Sequence, residues 1–242
     1  MYNILISAGA ALATFTLLKF AVALPWWLAF IIALLIFVGA FYLISRYIMK
    51  QVMAIMDTAT RDLQAHRVEK GIRELQSALR FSKWQIYVEG QVNAQIGMVY
   101  YLKRDFTAAF PYLEKAFFKH WMAMGMLAIS YMKRNKKDRM KETFEKAVQA
   151  SPKEPLLWNV YAYCLCEAGE PGKAKEVLEK GLKKLSGDEK TRQNLELLQE
   201  GKKMKMKGFG DMWLQFHLES IGTIQKQQMA AMGGAKRRIV RR

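Results

Sequence analysis

The sequence predicts an all-α chain in three parts: an N-terminal transmembrane helical hairpin, an α-solenoid of repeated helical hairpins, and a basic C-terminal helix and tail. Three observations carry this. The first 45 residues are almost wholly apolar and are interrupted by proline once, at Pro25. A pattern of small, aromatic and aliphatic residues at helical spacing recurs three times between residues 90 and 188. Lysine and arginine crowd residues 201–242, where ten of them face only Asp211 and Glu219.

The hairpin occupies residues 1–49. Two stretches, 4–24 and 26–45, each have the roughly 20 residues a helix needs to cross a hydrocarbon layer of about 30 Å. Pro25 breaks the helix between them, and Trp26 and Trp27 suit a membrane interface. Lys19 lies close enough to that interface to snorkel to it, or else is a functional intramembrane charge. Arg46, Lys50, Arg61 and Arg67 follow the second span. Positive residues stay on the cytoplasmic side, so the bulk of the chain and the N-terminus are expected there. Ala21-Val22-Ala23 resembles a signal-cleavage site, but no basic segment precedes the apolar run.

Residues 50–89 read as bridging helices. Ile48, Val52, Ile55, Met56, Ala59 and Leu63 continue the second span as an amphipathic helix. Gly71 and the preceding run 67–70 suggest a turn. Ile72, Leu75, Ala78, Leu79 and Ile86 then form a second amphipathic stretch, with the spacing of a degenerate repeat.

The strongest pattern lies at 155–188: Trp158-x-x-Tyr161-Ala162-x-x-Leu165, Gly169, then Ala174-x-x-x-Leu178-x-x-Gly181. Ile96-Gly97-x-x-Tyr100 with Ala109-x-x-x-Leu113-x-x-Ala116 repeats it earlier, as does Leu127-Ala128-x-x-Tyr131 with Met140-x-x-x-Phe144-x-x-Ala147 and Pro152. Gly97, Ala128 and Ala162 are 31 and 34 residues apart, as are Ala116, Ala147 and Gly181. This resembles the tetratricopeptide repeat, a 34-residue helix–turn–helix unit. Two units lack the first aromatic, Met140 replaces a small residue, and Ser186 stands where the final proline is usual. Units are expected at 90–120, 121–154 and 155–188, with a capping helix at 188–200 closing the domain 90–200. Pro111 is expected near the first turn of its helix, where a missing N–H is best tolerated. Small residues at Ala162, Ala174 and Gly181 would let paired helices approach closely.

The resemblance implies a concave face lined by the first helix of each unit, and a scaffold or adaptor role with protein or peptide partners. Candidate groove residues are Met98, Tyr101, Met122, Met126, Ile129, Met132, Asn159 and Tyr163, with Gly125 among them. A methionine- and tyrosine-rich trough suits an apolar helix or extended segment, because methionine repacks around irregular partners. The other reading is that these side chains are covered core. The arrangement of a short hairpin anchor and a few repeats is similar to bacterial inner-membrane proteins.

The net charge of +17 favours anionic partners. Lys202, Lys203, Lys205 and Lys207, and the terminal Lys236, Arg237, Arg238, Arg241 and Arg242, are candidates for contact with an anionic membrane surface. Nucleic acid held through the same tail is the alternative. Asp211 would cap a helix bearing Met212, Trp213, Phe216, Ile221 and Ile224 on one side, and residues 211–230 could fill the groove of the same chain or of a second copy. Gly9 and Gly39 would permit close helix packing between copies.

The residues give no chemistry. His66, His120 and His217 are scattered, Cys164-x-Cys166 lacks metal or redox spacing, and Ser130-x-x-Lys133 stands without partner motifs. No glycine-rich phosphate loop occurs. The expectation is a binding protein without cofactor or metal, not an enzyme.

Overall fold

The computed structural model describes residues 1–219, and among these every regular element is helical. Two compact units follow one another, Met1–Met124 and Gly125–Arg242.

The first unit opens with α1 (Tyr2–Phe20) and α2 (Trp26–Gln64). Both are long and apolar enough to cross a membrane. Asn3 Nδ2 donates to Ser45 Oγ at 3.2 Å, which sets the start of α1 level with residue 45 of α2. α1 stops at Phe20, four residues short of the expected end. Ala23 adopts a left-handed conformation, φ 58°, and the Leu24 N–H turns back to Leu18 O at 3.1 Å. That reversal needs residues 21–25, so Pro25 only starts the second helix.

α2 carries on from the apolar span as a single helix of 39 residues. The turn after it falls at residues 65–67, not at Gly71, which lies inside α3 (Val68–Ala78). Gly71 is there for proximity: a Cβ would stand 2.8 Å from Leu63 Cγ. The turn is held by Asp62, which is buried and paired with Lys70 at 3.1 Å and Arg67 at 3.7 Å. After a 3-10 turn at Leu79–Phe81 come α4 (Val88–Leu102) and α5 (Phe106–Glu114). Ile48, Val52, Ile72, Leu75, Val92 and Ile96 join α2, α3 and α4 in one core. Gly97 lets α5 approach α4, since a Cβ would lie 2.8 Å from Leu113 Cδ2. Pro111 is the sixth residue of α5, in its second turn. It removes an N–H from the helix interior, and α5 ends three residues later.

α6 (Trp121–Lys133) contains the division between the units. The second unit continues with α7 (Lys137–Ala150), α8 (Pro155–Glu167), α9 (Pro171–Lys184), α10 (Glu189–Gln199) and the short α11 (Asp211–Leu214). Pro155 and Pro171 open their helices, where the missing N–H costs nothing. Phe144 of α7 stacks on Tyr161 of α8, centroids 4.9 Å apart. Gly181 of α9 lies under Trp158, where a Cβ would meet the indole at 2.9 Å. Asp188 caps α10 by accepting from the Thr191 N–H at 2.9 Å.

One turn recurs after α2, α4, α6 and α8. Each of these helices ends when the N–H three residues past its last residue reaches back five residues, and the residue before that N–H is left-handed. The bonds are Arg67 N–H to Asp62 O, Asp105 to Tyr100, Lys136 to Tyr131 and Glu170 to Leu165, at 2.8 to 3.0 Å. The left-handed residues are His66, Arg104, Asn135 and Gly169. This is the Schellman closure, which satisfies orphan carbonyls at a helix end. The turn after α2 shares this closure with the turns after α4, α6 and α8.

Candidate functional site

The second unit contains a notch where α6 and α8 meet the chain that follows α10. Gly125 leaves its floor open. A Cβ at Gly125 would lie 2.9 Å from Cε1 of Phe216 and 3.8 Å from Leu157 Cδ1. The Phe216 ring fills that space and is fully buried. On α8, Tyr163 meets Trp213 edge to face, centroids 5.0 Å apart, and Trp213 is 1% exposed. Two aromatic anchors thus close over a glycine and a tyrosine on the repeat helices.

Short-range bonds shape the segment carrying these anchors. Gly210, φ 61°, reverses the chain before α11. The Trp213 N–H donates to Gly210 O and the Phe216 N–H to Trp213 O, both at 3.1 Å. Trp213 Nε1–H donates to Glu219 at 2.8 Å, and Lys133 Nζ to His217 O at 3.5 Å. Asp211 is the first residue of α11, not its cap, and the helix is only four residues long. Of the expected face, Ile221 and Ile224 lie outside the described residues.

The approach to the notch is fixed by a buried polar relay. Asn159 Nδ2 donates to Pro155 O and to Thr191 Oγ1, each at 2.8 Å. Asn194 Nδ2 donates to Asn159 Oδ1 at 2.9 Å, and Asn194 Oδ1 accepts from the Lys205 backbone N–H at 2.7 Å. Thr191 Oγ–H completes the relay to Asp188 at 2.7 Å. Residues 202–206 are thereby fastened to α8 and α10, with Met206 buried beneath them. Beside the segment lies an open cleft of about 970 Å³, lined among others by Tyr163, Cys166, Lys175, Lys190, Lys205 and Glu219.

The expected groove residues divide between the units. In the first, Tyr101 is fully buried, while Met98 and Met122 are half-buried. In the second, Met126, Ile129 and Asn159 are closed to solvent, and Met132 and Tyr163 are half-buried. Tyr101, Met126, Ile129 and Asn159 therefore offer no open surface to a ligand. The Asn159 amide is spent on its three internal bonds. Tyr163 packs against the segment that follows α10, through the Trp213 ring. Asn194 and Thr191 were missed, although both share the inward face of α10 with Leu195 and Leu198, a signal that helical spacing contains.

Lys202, Lys203, Lys205 and Lys207 are exposed, and Lys202 pairs with Glu200 at 2.7 Å. Lys236, Arg237, Arg238, Arg241 and Arg242 lie outside the described residues. Burial pushes the Tyr163 phenol and both thiols, Cys164 and Cys166, above their ordinary values, with Glu167 adding to each shift. These thiols stay protonated at neutral pH. Among the described residues, no three His, Cys, Asp or Glu side chains gather as a metal-binding group would.

Compared with protein-family models, residues 123–154 match the tetratricopeptide repeat. The chain carries a tetratricopeptide repeat. The matched stretch takes in α6 from Ala123, all of α7 and the turn that leads to α8. Tetratricopeptide repeats mediate protein–protein interaction, which agrees with a scaffold or adaptor role. A comparison with curated proteins finds no match. The hairpins on either side of the matched repeat, α4–α5 and α8–α9, close through the same left-handed turn.

Proposed function

We propose that this chain is a binding scaffold, not a catalyst, held by α1 and α2 at the cytoplasmic face of a membrane of the bacterial inner-membrane kind. Its repeat helices take up an apolar, aromatic segment of a protein. The observation that carries the reading is the notch itself. Gly125 and Tyr163 already hold Trp213 and Phe216 of the same chain, which supports an apolar, aromatic occupant. A partner presenting an aromatic pair on a short helix or turn would compete with that segment.

The exposure of the first two helices supports the anchor. Only 11% of the apolar window of each is buried, and Leu5, Leu12 and Leu35 are each 66% exposed. A core helix of a soluble domain would hide such side chains. The Asn3–Ser45 bond pairs α1 with α2, and Arg46 and Lys50 follow directly. The exposed lysines at 202–207 add a surface attractive to acidic groups.

A labelled peptide of residues 207–219 tests the reading. The full chain with Trp213→Ala and Phe216→Ala should bind it in detergent, and adding Gly125→Leu should abolish binding. The unaltered chain should bind at least about ten-fold more weakly, because its own segment is present at high effective concentration. If the double variant keeps its helical circular dichroism yet ignores the peptide, the proposed notch is wrong.

A further inference from the structure

The first unit brings its chain back to the level at which α1 begins. Beyond Ser45, α2 runs 19 residues to Gln64, a rise of roughly 28 Å. α3 returns against it, with Gly71 on Leu63, and together with the 3-10 turn descends roughly 22 Å. The loop 82–87 then touches the beginning of the chain. The Tyr2 N–H donates to Lys83 O at 3.0 Å, and the Tyr2 ring meets Trp84 edge to face, centroids 5.4 Å apart.

Apolar and basic side chains collect at that level. Ile86 is 60% exposed and Tyr87 48%. The Phe117 ring lies 4.8 Å from Tyr87 and 5.0 Å from Phe118, which is 49% exposed. Their loop is pinned to α4 by the Phe117 N–H donating to Gly90 O at 3.0 Å. Arg80, Lys83 and Lys115 flank the strip, and Arg46 and Lys50 emerge from the adjoining end of the span. Glu89 and Glu114 are the acidic residues on the same loops and helix ends, so the cations outnumber them.

Exposed Tyr, Phe and Ile, with half-buried Trp84 beside them, among lysines and arginines match the headgroup layer of an anionic bilayer, where amphipathic rings and cations are both favoured. A water-facing patch of this make-up would be a liability without a cover. The cover follows from position, since the strip is continuous with the end of the spanning hairpin. We propose that the loops 82–87 and 115–118 form a second membrane contact, seated in the headgroup layer beside α1 and α2 and selective for anionic phospholipid. It rests on the anchor reading above and goes beyond it, since it fixes the first unit against the bilayer surface.

The test uses the full chain in nanodiscs with Cys166→Ser; Cys164 is buried and its protonated thiol does not label. A single cysteine is introduced as Ile86→Cys, Phe118→Cys, Leu35→Cys or Gln64→Cys and tagged with an environment-sensitive fluorophore. Lipids carrying a nitroxide near the headgroup should quench positions 86 and 118 at least about three-fold more than position 64. Lipids labelled deep in the chain should quench position 35. Replacing neutral phosphatidylcholine in part by phosphatidylglycerol should strengthen the signal at 86, and Arg80→Gln with Lys83→Gln and Lys115→Gln should remove that gain. Quenching at 35 with none at 86 and 118 overturns the second contact and leaves the anchor standing. No quenching at 35 removes the anchor and this inference with it. An equal response at 86 to neutral and anionic lipid overturns the selectivity.

Discussion

Gly125→Ala sets two effects of opposite sign against each other. Alanine in a helix interior is favoured over glycine by about 1 kcal/mol, so α6 itself gains. The added methyl, however, would stand 2.9 Å from Phe216 Cε1 and 3.3 Å from Cζ. The backbone of α6 is held by its own hydrogen bonds, whereas Phe216 rides on a short segment, so the ring gives way. Burying one aromatic side chain is worth at most about 4–6 kcal/mol. A ring backed out by less than 1 Å forfeits roughly a quarter to a half of its contact on that face. Closure of the segment should therefore weaken by about 1–2 kcal/mol, an increase of about 5- to 30-fold in its open population. Hydrogen exchange of the intact chain reads this directly at the Phe216 and His217 amides, which donate to Trp213 O and Leu214 O. Those amides should exchange faster while the amides of α6 and α8 keep their protection, and the main thermal transition should hold or rise. In a Phe216→Ala background the same glycine substitution should leave the segment unchanged. Equal loss of protection in α6 and in the segment, or no change in either, would refute the account of the notch.

Other consequences follow from the turns, the relay and one carboxylate. Gly169 sits at φ 83°, so Gly169→Ala should destabilise the second unit by about 1 kcal/mol in denaturant unfolding. Arg104, at φ 64° in the corresponding turn, should respond oppositely, with Arg104→Gly stabilising the first unit by about 0.5 kcal/mol. Asn194→Ala strips partners from Asn159 Oδ1 and the Lys205 N–H and should cost about 2–3 kcal/mol. Adding Asn159→Ala should cost less than the sum, because the two share one network. Glu170 accepts from Lys141 of α7 and Lys173 of α9, which holds its carboxyl down at about 2. A depressed carboxyl stabilises fully above its ordinary value and loses that contribution as pH falls towards 2. The advantage of the unaltered chain over Glu170→Gln in thermal midpoint should accordingly shrink between pH 5 and pH 2; a constant difference would rule the pair out as a stabiliser.

The helices were legible because their signals are local. Twenty apolar residues, a proline at a helix start and small residues at 31- and 34-residue intervals all state their consequence within one turn or one hairpin. What escaped was backbone reversal by ordinary residues. Ala23, His66 and Arg104 take left-handed turns that no composition marks, so apolar length alone overshoots the end of α1 and the glycine signal places the α2–α3 turn too late. The groove was harder still. α6 reads Met-Ala-Met-Gly-Met-Leu-Ala-Ile from residue 122, apolar on every side, so periodicity cannot say which face is inward. Asn159 looked like a groove-facing polar residue because its partners come from α10, 32 and 35 residues further on.

The fifth left-handed closure explains why the chain's own aromatic segment reaches α6 and α8. After α10, Gly201 at φ 72° lets the Lys202 N–H reach Leu197 O at 2.8 Å, the same bond that ends the earlier hairpins. In those hairpins a helix starts at once on the return side. Here Lys202, Lys203, Lys205 and Lys207 repel one another within two turns, and Gly208 and Gly210 carry no helical preference. The return helix is not made, and Asn194 instead captures the extended chain through the Lys205 N–H. The chain consequently crosses to α6 and α8 and delivers Trp213 and Phe216 to apolar surface that a further helix would otherwise have covered. A solenoid needs its end covered. A cover made of two aromatic anchors on a short segment is also one that a partner with the same anchors can replace, which ties the closing of the fold to the proposed binding.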